Sequence, residues 1–128
     1  MFLTIKTDNP ESEIGLYDED MIDYKKWLSD RKLSEQLLNE ILKLLEKNHQ
    51  TPEKLEGIVV FKGPGSFTGL RIGASVANAF SYSVGCQIVG AKGANWAKDG
   101  ISRIKKNQND KIVVPEYGAE ANITKPKK

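Results

Sequence analysis

The run IVVF at residues 58–61 places apolar side chains at four consecutive positions. Successive side chains of a strand point to opposite faces, so such a run needs apolar cover on both sides of its sheet. It therefore predicts a central strand, paired in parallel and packed between helices. Parallel neighbours need crossover connections, and helical patterns flank the run: KLSEQLLNEILKLLEKN before it and residues 68–84 after it. A chain of 128 residues has room for one such layered domain.

The remaining elements follow from period and punctuation. Alternation in FLTIK (2–6), EIGLY (13–17) and MIDYKKWL (21–28), separated by DNPES and DED, predicts an antiparallel meander of three short strands. The first helix has Ser34 as its expected N-cap and apolar residues at 37, 38, 41, 42, 44 and 45, a stripe wider than one sheet contact needs, so two neighbours are expected. QIVGA (87–91) reads as a strand, residues 93–105 as a helix and IVVPEY (112–117) as a further strand. The order βββαβαβ with extra elements fits an α/β layer, the order of an RNase H-like lobe. The terminal NITKPKK is expected to lie outside the packed part.

Several function classes are excluded at this level. The longest apolar runs are strand-sized, too short to span a membrane. The N-terminus enters strand alternation directly, without the pattern of a signal peptide, so a cytoplasmic protein is expected. One cysteine, Cys86, and one histidine, His49, offer no disulfide and no metal-ligand cluster; no metal site is expected, and Cys86 in SVGCQIVG reads as a small buried thiol. The net charge of +2 hides an asymmetry: residues 1–61 hold 8 Lys and Arg against 13 Asp and Glu, and residues 62–128 hold 11 against 4. No aromatic residues interleave Arg103, Lys105, Lys106 and the tail lysines 125, 127 and 128, so a solvated basic face is expected rather than a nucleic-acid platform.

The segment GPGSFTGLRIGASVANAF (63–80) invites a phosphate-loop reading and does not meet its requirements. A Walker loop needs lysine after its last glycine, and Leu70 and Arg71 follow Gly69; a dinucleotide fingerprint would need glycine at Thr68. What remains is a helix N-terminus at which Gly65, Ser66 and Thr68 either bind an anion weakly or form the capping turn, the turn being the expected reading. Behind it, Gly69, Gly73, Ala77 and Ser81 recur every four residues as a ridge of small side chains. Each glycine costs about 1 kcal/mol against alanine in a helix, so close packing must offset it. By spacing alone, the ridge packs either on the domain's own sheet or on another molecule, with Ile72, Val76 and Phe80 alongside.

GPGSFTGLRIG, placed after IVVF and preceded by SEQLLNEILKLL, resembles the hallmark of the TsaB (YeaZ) family of tRNA threonylcarbamoyladenosine biosynthesis proteins, and PEYGAEANITKPKK is similar to the tail that closes its members. The resemblance implies a lobe of the actin-like ATPase superfamily and a non-catalytic scaffold that pairs with TsaD. That partner transfers the threonylcarbamoyl group from its adenylate to the adenosine 3′ of the anticodon. It implies an interface on the two helices, here Leu37, Ile41 and Leu44 of the first and Thr68, Gly69, Arg71, Ile72, Gly73, Val76, Ala77 and Phe80 of the second. It further implies a homodimer through the same face when the partner is absent, a TsaE-like ATPase in the larger complex and only indirect contact with tRNA. No catalytic residue and no cofactor of its own are implied, ATP or ADP being expected on or near TsaD.

The sequence also departs from the family pattern. Only about twenty residues separate QIVGA from IVVPEY, so the expected organisation is a lobe at 1–91, a shortened connection at 92–111 in place of a second lobe, and a strand with a basic tail at 112–128. Lys6 stands where ATP-binding members of the superfamily carry the metal-holding aspartate. Leu33 and Ala119 replace the usual histidine and arginine. A fragment of a sugar-kinase-fold ATPase and a direct tRNA-binding module are the alternatives; Lys6 argues against the first, and salt-sensitive tRNA binding by the isolated chain would favour the second. A peptidase needs a nucleophile and base or a two-histidine motif, which His49 alone does not supply.

Overall fold

The structure is a computed structural model that describes residues 1–117. Three strands open the chain, β1 (Phe2–Lys6), β2 (Glu11–Asp18) and β3 (Asp20–Leu28), followed by a 3-10 turn at Asp30–Lys32, helix α1 (Leu33–Lys47) and a second 3-10 turn at Pro52–Lys54. Then come β4 (Gly57–Phe61), α2 (Phe67–Val84), β5 (Gln87–Ala91) and α3 (Trp96–Lys105). The five strands form one sheet in the order β3-β2-β1-β4-β5. β1 and β2, and β2 and β3, pair antiparallel, whereas β4 lies parallel to both β1 and β5.

β4 is buried at every position, as its unbroken apolar run requires. On one face Ile58 and Val60 join Leu3, Ile5, Leu16 and Ile88 beneath α1 and α2; on the other, Val59 packs with Phe2, Val89, Ile101 and Ile104 beneath α3. The two helices of the first face and the one helix of the second fix which surfaces remain for other molecules.

Two expected features differ. Ser34 lies inside the first turn of α1; Lys32 holds the N-cap position with no side-chain cap, because the preceding 3-10 turn delivers the chain already wound. Residues 112–117 form no strand. Val113 is instead held by the Asn78 side chain of α2, which accepts from its N–H at 2.8 Å and donates to its carbonyl at 3.0 Å. The outer edge of β5 is closed by side chains as well: Asn109 accepts from the Ile88 N–H, Asp110 from the Gly90 N–H, and Arg103 donates to the Gly90 carbonyl. With that edge satisfied, a sixth strand has no ladder to join. Among the described residues no helix is long and apolar enough to cross a membrane.

Candidate functional site

The glycine loop leaves β4 at the carboxyl end of the sheet, where β1 also ends. Gly65 of the loop and Gly69 and Gly73 of α2 face that end of β1. A Cβ on Gly65 would lie 2.5 Å from Asp8 Cβ, one on Gly69 2.3 Å from the Thr7 carbonyl oxygen, and one on Gly73 2.2 Å from Thr7 Oγ1. Only hydrogen fits at these positions. Thr7 Oγ1 donates to the Gly69 carbonyl at 2.8 Å, tying the strand end to the first turn of the helix. Gly69 and Gly73 therefore pack on the residue that follows the chain's own first strand, and for Gly73 and Ala77 the intermolecular reading is corrected, because both are buried within the domain.

The anion reading of Gly65, Ser66 and Thr68 meets the same geometry. The Ser66 N–H donates to the Asp8 carbonyl at 2.7 Å, and Ser66 Oγ, at the N-cap, accepts from the Gly69 N–H at 3.5 Å. Asp8 brings its own carboxylate to the loop, neutralised by Lys6 at 2.8 Å. Lys6 also lies 4.6 Å above the Phe61 ring, so the residue in the superfamily's aspartate position is engaged with an acid and an aromatic face.

The helix pair supplies a different surface. On α1, Leu37, Ile41 and Leu44 are buried in the core, so their expected role at a partner interface is corrected. Leu38 and Leu42 remain 42% and 40% exposed. Gln36 and Glu40 bond Trp27 and Lys25 of β3 on one flank of α1, which turns Leu38 and Leu42 to the opposite flank, towards α2. On α2, Asn78 reaches Val113 on one flank; Ile72, Val76 and Phe80 line the other, towards α1, and are partly buried against the core. The two helices thus present a continuous apolar strip between them. On the Asn78 flank of α2, away from this strip, Phe67 is 44% exposed, with the Arg71 guanidinium 5.5 Å from its ring centroid and Tyr117 at 4.4 Å between ring centroids. Thr68 is exposed and Gly69 half-buried beside them.

Sequence reasoning missed Leu38 and Leu42 as surface residues, although the wide stripe contained them; the flank was decided by the bonds from β3, which periodicity does not carry. Cys86 is half-buried, and burial pushes its thiol pKa up, which keeps it protonated and unreactive. Trp96 packs edge-on against Phe61 with ring centroids 5.7 Å apart. Leu33 is a core residue at the start of α1, so whatever the family's histidine does there, leucine fills the interior here. Ala119 and the lysines 125, 127 and 128 lie outside the described residues.

Comparison with known proteins agrees with this architecture. A family model described as TsaD, tRNA N6-adenosine threonylcarbamoyltransferase, matches residues 27–95, more than half of the chain. The tRNA threonylcarbamoyladenosine biosynthesis protein TsaB of Bacillus subtilis (strain 168) is 36% identical over 84 residues, 64% of this chain and 36% of that protein. The protein of the same description from Escherichia coli (strain K12) is 25% identical over 109 residues, 80% of this chain and 47% of that protein. The chain thus spans between about a third and a half of the length of these curated relatives. Among solved structures, YeaZ from Pseudomonas aeruginosa superposes with a TM-score of 0.67 at 21% identity, over 71% of this chain and 43% of that one. The shared fold is the RNase H-like lobe of the actin-like ATPase superfamily. By the family model and these relatives, the chain belongs to the tRNA threonylcarbamoyltransferase family, on its TsaB (YeaZ) branch.

Proposed function

We propose that this chain acts in the biosynthesis of N6-threonylcarbamoyladenosine in tRNA as a non-catalytic subunit that binds the TsaD transferase through α1 and α2. The observation that carries the reading is the apolar strip formed by Leu38 and Leu42 with Ile72, Val76 and Phe80. Apolar side chains collected on one helix pair have the composition of an interface core. Lys6, paired with Asp8 beneath the glycine loop, supports a subunit without a nucleotide site of its own, ATP or ADP belonging to the partner. The same strip serves a second copy of the chain when the transferase is absent; a TsaE-like ATPase joins through the complex and tRNA is reached through the transferase.

The test is co-elution with the TsaD homologue of the same host. The double variant Leu38→Glu, Leu42→Glu changes only exposed positions of α1 and is expected to leave the circular dichroism spectrum intact while abolishing co-elution. Retained co-elution by the folded double variant would refute the assignment of this surface.

A further inference from the structure

On the opposite face of the sheet, a cavity of about 210 Å3 opens between the β2–β3 hairpin and the start of α3. Glu13, Tyr17, Met21 and Tyr24 form its strand wall, Trp96 and Lys98 its helix wall. It exists because α3 has only ten residues and covers β4 and β5 through Ile101 and Ile104, leaving the hairpin beyond its reach. The β-bulge in the pairing between Leu16 and Tyr17 sets Met21 opposite Tyr17 and so turns it to the same side as Tyr24.

The lining combines aromatic walls with a carboxylate outside the ion pairs around it: Lys6 and Lys26 stand opposite Glu13 in the ladders but are paired with Asp8 and Glu11. Tyr24 donates its hydroxyl to Glu13 Oε1 at 2.9 Å, and among the described residues no lysine or arginine forms a salt bridge with Glu13. Burial raises both phenols, followed by the hydrogen bond to Glu13 for Tyr24, which reaches about 12, and by the Glu13 charge for Tyr17, so both rings stay neutral across the physiological range. Trp96 is fixed from behind by Phe61. The cation–π contacts among the described residues use the rings of Phe2, Phe61 and Phe67, so Lys98 leaves the cavity's own rings to a guest.

An anion entering here would meet Glu13, with Glu19 and Asp20 of the hairpin turn lining the adjoining cavity beside Tyr17 and Lys98. A neutral apolar guest would desolvate the carboxylate without compensation. A cation gains from both the carboxylate and the ring faces. We infer that the cavity receives the ammonium or guanidinium end of a lysine or arginine side chain presented by a protein partner, with Glu13 as counter-ion and Tyr17, Tyr24 and Trp96 as its walls. A protein partner suits the surroundings, because Ile22 and Leu28 of the same edge strand are exposed and offer apolar ground for the residues flanking that cation.

The two tryptophans provide the test. Trp27 lies on the α1 face with its indole N–H bonded to Gln36, so its NMR signal is an internal control for that of Trp96. Titrating the full chain with N-acetyl-arginine amide and N-acetyl-lysine amide is expected to shift the Trp96 indole signal saturably and leave Trp27 in place, with the neutral N-acetyl-citrulline amide at least about tenfold weaker. Glu13→Gln, at a half-buried position of β2, is expected to weaken the cations by about tenfold or more, and Tyr24→Leu to weaken them independently through loss of a wall. An unmoved Trp27 signal reports that each variant is folded. A Trp96 signal that does not saturate, moves equally with citrulline, or is indifferent to both substitutions would overturn the inference.

Discussion

Thr7 and Gly73 meet at a contact with no spare volume. A methyl group at residue 73 would stand 2.2 Å from Thr7 Oγ1, so it must either displace α2 or break the bond from Thr7 to the Gly69 carbonyl. Overpacking of this kind costs about 1–3 kcal/mol, more than the roughly 1 kcal/mol that alanine returns in helix propensity. Gly73→Ala is therefore expected to lower the denaturation midpoint, and an equal or higher midpoint would contradict the contact. Asp23 makes a second residue-level prediction. Its carboxylate accepts from the Asn48 amide at 2.8 Å and from the Tyr24 N–H at 2.7 Å, with Lys47 at 3.4 Å, which hold its pKa below the ordinary 3.8. A group whose pKa is lower in the folded than in the unfolded state stabilises the fold above its unfolded value and loses that contribution as pH falls through the folded one. Acid titration of stability should therefore show Asp23→Asn losing less than the wild type below about pH 4, and parallel curves would show that Asp23 does not titrate differently on folding.

Neighbouring leucines on α1 separate core from surface. Leu37 is buried, so Leu37→Ala is expected to cost about 2–5 kcal/mol, whereas Leu38→Ala, on the open flank, should stay within about 0.5 kcal/mol in the same urea titration. Most elements were legible because their patterns are local: FLTIK and QIVGA became β1 and β5 with the expected bounds, and the buried run became β4. What was not legible depends on partners distant in sequence. Residues 112–117 carry a strand's composition, yet Val113 takes its hydrogen bonds from Asn78, thirty-five positions earlier. The small-residue ridge of α2 has the right spacing for either kind of neighbour, and only Thr7, sixty-two positions before Gly69 in their hydrogen bond, decides between them. The same limit hid the cavity beside Trp96, whose walls come from β2, β3 and α3.

Taken whole, the domain is a sheet with two unlike faces. α1 and α2 leave an apolar strip on one, while α3 leaves a small aromatic and acidic cavity on the other. The charge asymmetry of the sequence follows this division only in part: Arg103 is engaged with Asp110 and the Gly90 carbonyl, and Lys62 and Lys92 with Glu116, so these three basic residues help hold residues 107–117 to the sheet. The central claim is that the α1–α2 strip holds a threonylcarbamoyl transferase. Amide hydrogen exchange of the chain with and without the TsaD homologue tests it directly. Slower exchange confined to α1 and α2 is predicted, with α3 and β3 unchanged; a stable complex that protects α3 and β3 and leaves α1 and α2 as they were would contradict it.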